Sequence, residues 1–425
     1  MEVVGAGFVI TMTGEVHSPG WVGFADGKIV EIAAGPVPGE LGSVAQRRNT
    51  VLIPGLVCAH GHLPLGNLRG VGENLPFLEW IHQGVLPAIQ EMFTRPGSFT
   101  EGARRSVGEL LAGGVTSVAD SFLRAEGVAA CREAGMRGIF FQEVFGSLAE
   151  DEKVYVTDTM RELDELPAVL GDHAYGYAPH TPWTCPWQTL GAVVERARAE
   201  GRRLSLHVDE SEEEHLFFTG ARGPLYELLK KRGILDRYRF GMTPTAYLQE
   251  RGALGPDVMA VHCVQVTAED VGRLARTGTH VVHCPVSNMK LAEGVAPILP
   301  MLEAGVRLSL GADSSASAGH LDMFEQMRVF ILAQRARYRT IGPLTAETAL
   351  SMATVGGADA LGLLDRIGTL EVGKCADMVL VDLDGVRSDP IRNPVDDLVL
   401  LARRTDVEQV WVDGICRHLR PESSS

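Results

Sequence analysis

Residues 51–62 read VLIPGLVCAHGH, an apolar β-type run that ends on two imidazoles, His60 and His62, one residue apart. Side chains at i and i+2 of a strand share a face, so both rings can point at one target. An HxH pair is short and common, and its meaning depends on what ends the other apolar runs. Seven more such runs follow: TSVAD, RGIFFQEVF, YGYAPH, RLSLHV, VMAVHC, HVVHCPVS and RLSLGAD. Amphipathic stretches such as FTEGARRSVGELLAGG and PWQTLGAVVERARAEG lie between them. Strand then helix, repeated in this way, predicts parallel strands joined by crossovers. Eight units fit an α/β (β/α)8 barrel over residues 51–364. An open doubly wound sheet is the rival, but no GxGxxG follows the first strand to support it.

The two ends of the chain have a different texture. VVGAGFVITM and WVGFADGKIVEIA near the start, and VEQVWVDGICRHL near the end, read as short strands around the Asp26-Gly27 and Asp413-Gly414 hairpin signals. They predict one small β-sandwich domain built from residues 1–50 and 365–425.

Bulk properties narrow the partners. The 425 residues carry a formal charge of −15, from 54 acidic against 39 basic residues, which argues against a nucleic-acid backbone. No apolar run approaches the roughly 18–20 residues needed to span a bilayer, so no membrane partner is expected. The start carries Glu2 instead of a basic segment, and the seven cysteines form no CxxC pair. Cys58, Cys263 and Cys284 sit in apolar runs as reduced core residues do, which suits a cytoplasmic protein. A homo-oligomeric assembly is left open.

In a (β/α)8 barrel the active site lies at the C-terminal strand ends. Here the first run ends in His60 and His62, the fourth in His180, the fifth in His207, the sixth in His262, the seventh in His283 and the eighth in Asp313. Packing alone gives no reason for imidazoles and a carboxylate at these positions. His60 and His62, with an imidazole from the fifth strand and the carboxylate of the eighth, would make a site for one divalent ion. Zinc accepts such nitrogen and oxygen donors, and iron(II) or manganese would too. Glu210 follows His207 by three residues, beyond the ligand's direction but placed to face a substrate and move a proton. His262 can polarise the oxygen under attack.

PGLVCAHGH, LHVDE, VHC, HCPVSNMKLAEG and LGADSSAS, in this order, resemble the signatures of the amidohydrolase superfamily, and specifically its branch of adenosine-derivative deaminases, guanine and cytosine deaminases and triazine chlorohydrolases. The resemblance implies one metal held by His60, His62, His207 and Asp313, with Glu210, His262 and Asp313 as catalytic groups, and no organic cofactor. A glutamate at the place of Glu210 is typical of the deaminases, which favours hydrolytic deamination over dechlorination. RGVGENLPFLEW resembles the first-loop segment of methylthioadenosine/S-adenosylhomocysteine deaminases, where Trp80 would pack on a nucleoside, and APHTPWTC their segment with a substrate-contacting histidine, here His180. One departure is that Ile89 stands where those enzymes tend to carry a ribose-binding glutamate, with Glu91 two residues on. EEEHLFFTGARGPLYELLKKRGI looks more like the aminodeoxyfutalosine deaminases of menaquinone synthesis, which tips the expected nucleoside substrate towards aminodeoxyfutalosine.

Plainer readings stand beside these. His180 and His283 could be core histidines satisfied by the barrel wall, and Trp80 a cover over the core. Arg69 could bind a substrate anion or brace its loop. Glu212 to Glu214 read as solvated surface charges. His17, His82, His173, His215, His280, His320 and His418 read as loop or surface residues, with His82 near the entrance. Guanine- or cytosine-type deamination, triazine hydrolysis and, more remotely, a non-catalytic metal-binding barrel remain the alternatives.

Overall fold

A computed structural model describes residues 1–39, 47–122, 125–147, 150–171, 173–384 and 391–421. Eight strands form one parallel sheet in chain order: β1 (Leu56–Gly61), β2 (Val115–Phe122), β3 (Arg137–Val144), β4 (Ala174–Pro179), β5 (Leu204–Val208), β6 (Val258–His262), β7 (His280–His283) and β8 (Arg307–Leu310). Helices cover the outside, so the strands are buried on both faces, and every residue of β5, β6 and β7 is buried. The helix Ser98–Ala112 shows why the crossovers pack. Phe99, Ala103, Val107 and Leu110 fall on one helical face and are all buried.

The sheet closes on itself just beyond β8. Gly61 and Asp313 form a parallel bridge. The N–H groups of Ala312 and Asp313 both donate to the carbonyl of His60, each at 3.1 Å. The fold is therefore the (β/α)8 barrel, and all eight strand ends meet at one rim.

One expected element divides in two. VLIPGLVCAH is not a single barrel strand: Thr50–Pro54 pairs antiparallel with Met378–Asp382, and only from Leu56 does the chain join the barrel. The break falls at Gly55, where a Cβ would lie 2.1 Å from Thr116 Oγ1 on β2. No side chain fits as the backbone crosses from one sheet to the other. The terminal sheet thus takes in residues that lie past the expected division at residue 50.

That sheet has six strands, and a three-stranded sheet of Glu2–Ala6, Gly20–Ala25 and Lys28–Ala34 packs with it. Val4, Val22, Phe24, Leu52, Met378 and Trp411 share one apolar cluster drawn from both sheets. Asp26-Gly27 and Asp413-Gly414 join adjacent antiparallel strands, as their hairpin signals predict.

Gly311, next after β8, lies so close to β1 that a Cβ would sit 2.8 Å from His60 Cβ and 3.0 Å from Cys284 Sγ. Gly311→Ala is therefore expected to cost about 1–3 kcal/mol through overpacking, read as a lower urea midpoint. A midpoint that does not move would mean that β1 yields freely at His60.

Candidate active site

His60, His62, His207 and Asp313 converge at the rim. His60 Nε2 is 3.6 Å and His62 Nε2 3.5 Å from Asp313 Oδ1, and His207 Nε2 is 3.3 Å from His62 Nε2. The protons lie on the far sides of the rings. His207 Nδ1 donates to the His180 carbonyl at 2.8 Å, and His62 donates to the backbone carbonyl of Ser121. Both Nε2 atoms then present lone pairs to each other with no proton between them. His60 is fully buried, yet neither of its ring nitrogens has a hydrogen-bond partner.

These are the marks of a cation site. Four donors at the corners of a tetrahedron, each about 2.1 Å from one ion, lie roughly 3.4 Å apart. The three observed separations bracket that distance. Burial, helped by His60, pushes the His62 imidazole down to about 4, and burial with His180 beside it holds His207 well below the ordinary range. Both rings are neutral at pH 7 and free to donate lone pairs. Burial opposes ionisation of Asp313, but the surrounding histidines hold its carboxyl well below the usual range. The residues present fit a divalent ion with three nitrogen ligands and one oxygen ligand.

Neighbours aim these groups. Ser287 Oγ and Ser317 Oγ donate to Asp313 Oδ2 at 2.6 and 2.7 Å, which turns Oδ1 to the imidazoles. Asp120 Oδ1 accepts the Leu63 N–H at 2.8 Å and pins the turn after His62. Glu143, near the end of β3, sits with Oε1 3.8 Å from His62 Nδ1. Asp313 and His262 both take left-handed backbone conformations, with φ of 60° and 73°. Such strain costs on the order of 1–3 kcal/mol per residue and is held here by the surrounding hydrogen bonds.

Glu210 and His262 form a second pair. Asn288 Nδ2 donates to His262 Nδ1 at 2.9 Å, so the ring proton lies on Nε2, which faces Glu210 Oε1 at 3.4 Å. Glu210 stands on a loop fixed from below. Asp209 holds His215 Nδ1 at 2.9 Å, and the Glu210 N–H donates to Glu214 Oε2 at 3.1 Å. Ser211 caps the helix Glu212–Gly220 by accepting the Glu214 N–H at 3.2 Å. Burial, with Asp313, Glu293 and Glu214 nearby, pushes the Glu210 carboxyl well above the usual range, so it takes up a proton readily.

The cluster opens into a cavity of about 270 Å³. Its wall includes Phe77, Trp80, Ile89 and Phe93 from residues 77–94, a helix that makes a π-helical turn over Trp80–Val85, together with Phe145 and Trp183. Trp80 spends its indole N–H on the Val71 carbonyl at 3.2 Å and so offers its ring to the cavity. His180 is on the wall, its Nδ1 meeting Thr184 Oγ1 at 2.9 Å.

Several expectations move. Arg69 is not among the cavity-lining residues; it donates to Glu109 at 2.7 Å, and Arg404 pairs with the same carboxylate, so it braces its loop. His283 is also off the wall, sealed in the barrel beside Phe330. Glu214 is a buried cavity residue, not a solvated charge, because it caps the Glu210 loop. His280 is buried against Asp359, and His82 lies on the cavity wall. Glu91 points away to an ion pair with Arg95, whereas Ile89 faces the cavity. Ser287, Asn288, Ser317, Asp120 and Glu143 carry no assigned role in the sequence reading. The first three lie inside HCPVSNMK and LGADSSAS, and the last two sit at the ends of the second and third apolar runs.

Three comparisons bear on this arrangement. The model of the amidohydrolase family matches residues 51–416. A 5-methylthioadenosine/S-adenosylhomocysteine deaminase of Syntrophobacter fumaroxidans is 33% identical over 423 residues, covering 96% of this chain and 90% of its own. A 5′-deoxyadenosine deaminase of Methanothermobacter thermautotrophicus is 32% identical, covering 92% of this chain and 87% of its own. Among solved structures, a zinc-bound adenosine deaminase from Xanthomonas campestris superposes with a TM-score of 0.85 at 30% identity, over 98% of this chain and 93% of that one.

If the two serines aim Asp313, Ser287→Ala combined with Ser317→Ala should weaken divalent-ion affinity about 10–100-fold, measured by competition with a chromophoric chelator. Unchanged affinity would show that the carboxylate needs no such support.

Proposed function

The chain belongs to the amidohydrolase family, and on that premise we propose that it is a zinc-dependent aminohydrolase that converts the 6-amino group of a 5′-substituted adenosine to a 6-oxo group and ammonia. The observation that carries this reading is Glu210 facing His262 Nε2 across 3.4 Å beside the converging side chains of His60, His62, His207 and Asp313. A proton carrier and a proton-bearing donor are aimed into the same space. The relatives named as deaminases of methylthioadenosine, S-adenosylhomocysteine and 5′-deoxyadenosine support the substrate class.

A divalent ion held by His60, His62, His207 and Asp313 would supply Lewis acidity and lower the pKa of a water molecule. The chain's own groups do the rest. Glu210 takes a proton from the attacking water and passes it to the ring nitrogen next to C6. His262 donates from Nε2 to the oxygen as charge develops on it. Glu210 then carries the second proton of that water to the exocyclic nitrogen, the bond from C6 to that nitrogen breaks, and ammonia leaves while the water oxygen stays as the 6-oxo group. The ring of Trp80 packs on the nucleoside, and His180, also on the cavity wall, contacts it.

Among 5′-substituted adenosines, aminodeoxyfutalosine is favoured, with a place in menaquinone synthesis, and S-adenosylhomocysteine and methylthioadenosine come next. Two features support that order. Ile89, and not a carboxylate, faces the cavity after the Leu86-Pro87 step. The segment 212–234, which resembles aminodeoxyfutalosine deaminases, contributes Leu228 to the wall.

Ammonia release by zinc-loaded protein tests the reading directly, against aminodeoxyfutalosine, S-adenosylhomocysteine, methylthioadenosine, adenosine, guanine and cytosine. A preference for one 5′-extended adenosine is expected. Silence on every adenosine with metal bound would leave the other bases, chlorotriazines or a non-catalytic role. Glu210→Gln should keep its metal and lose turnover by about 10²–10⁴-fold; a metal-replete mutant that still turns over would refute the role. Asp313→Asn should lower both metal content and rate, and if neither changes Asp313 is not a ligand.

A further inference from the structure

A second cleft lies beside the reaction cavity and shares only Phe77 and Trp80 with it. Its volume is about 490 Å³. Glu73, Glu212, Glu213 and Glu293 line it, against one basic residue, Lys290, which Glu73 already holds at 2.8 Å. The other three carboxylates have no ion pair among the described residues. Carboxylates on a surface are ordinary, but Glu293 is only 9% exposed. Its N–H donates to the Asn288 carbonyl at 2.8 Å, and its own carbonyl accepts Gln265 Nε2 at 2.7 Å. The backbone is thus held on both sides, and what the residue presents to the cleft is its carboxyl. No group among the described residues hydrogen-bonds that carboxyl. Burial, with Glu213 and Glu212 nearby, pushes it up to about 8. A buried carboxyl without a partner is costly, and a cation beside it removes the cost.

That cation is not a bare metal ion. Among the described residues, every group of three or more acids and imidazoles that converges on one point lies at the rim. Glu212, Glu213 and Glu293 therefore do not bring their oxygens within reach of one ion. We propose that the cleft binds an aliphatic amine with two or more ammonium groups, one seated on Glu293 and another on Glu212 and Glu213. An ammonium group has three donors and no acceptor, which matches acceptor-only carboxylates. Leu75, Pro76 and Leu291 line the same cleft and suit the methylenes that join the charges. The two acidic walls belong to the segments that orient Glu210 and His262. Glu212 and Glu213 open the helix that fixes the Glu210 loop, and Glu293 follows Asn288, which holds His262. An occupied cleft ties these segments together, whichever nucleoside the rim takes.

The test is calorimetric titration of zinc-loaded protein at about pH 8, where aliphatic ammonium groups keep their charge. The ligands are butane-1,4-diamine, butylamine and butane-1,4-diol. The diamine should bind at one site, about tenfold or more tighter than butylamine, and the diol should not bind. Added salt should weaken the diamine. Glu293→Gln should lower its affinity about tenfold, and Glu293→Asp should restore part of it. Glu213→Gln, at a more exposed position where folding is not at stake, should weaken it too. Zinc content measured after each titration should be unchanged, which separates the cleft from the rim. No binding of the diamine, or equal affinity for diamine and butylamine, would overturn the site. So would an affinity that survives both Glu293→Gln and Glu213→Gln, or a loss of zinc in step with binding. Uptake of magnesium or calcium in place of the diamine would overturn it as well and make the cleft a metal site. None of these outcomes touches the deaminase reading.

Discussion

The carbonyl of His60 accepts two N–H groups, from Ala312 and Asp313, and these two bonds both close the barrel and bring the side chains of His60 and Asp313 together. Because β1 and β8 meet there, His60 and Asp313 come from opposite ends of the barrel chain yet are fixed by one peptide oxygen. Gly311 lets the strands approach, and the left-handed turn at Asp313 directs its carboxylate inward. What results would be unstable by itself. Buried imidazole lone pairs face each other and a carboxylate, and a buried polar group left unsatisfied costs about 1–3 kcal/mol. A bound cation removes that cost, so closure of the fold and affinity for metal reinforce each other.

The remaining functional groups are held differently. Strands carry the ligands, but Glu210 stands on the loop beyond β5 and needs its own scaffold. Glu214 supplies it by accepting the Glu210 N–H while the N–H of Glu214 itself binds the Ser211 hydroxyl. One helix start thus fixes the loop that carries Glu210. The same separation applies to His262, whose proton position is set by Asn288, a residue of the helix Pro285–Lys290 after the next strand. Glu210 and His262 are oriented by hydrogen bonds from outside the group formed by His60, His62, His207 and Asp313, so either can be altered without dismantling it.

How much of this was legible in the sequence depended on whether the signal was local. Strand–helix alternation gave the barrel, because parallel strands buried on both faces must be apolar almost throughout. Imidazoles at the ends of such runs marked the residues that the fold brings together at the rim. The split of VLIPGLVCAH was not legible, since the contact that breaks it, Gly55 against Thr116, joins residues far apart in the chain. Glu214 looked like one charge in an acidic run, and only the fold shows that it turns inward. Asp120 and Glu143 could have been found by the rule that found the histidines, for they sit at or near the ends of β2 and β3. With them, every barrel strand brings an ionisable group to the rim. Phe93 and Leu228 had no pattern to betray them, because what brings them together is one cavity wall built from segments far apart in the chain.

That last contrast bears on how the chemistry and the choice of substrate are divided. The ligands and proton-moving groups sit on or next to strands whose positions are locked by the barrel. The outer cavity wall comes from the helical segment 77–94 and the helix Pro224–Lys231, which lie above the rim and take no part in closing it. Changing Ile89, Phe93, Leu228 or Arg232 alters the length and polarity of the outer chamber without shifting His60 against Asp313. A barrel built in this way can keep the groups at its rim fixed while its helices vary what the outer chamber admits.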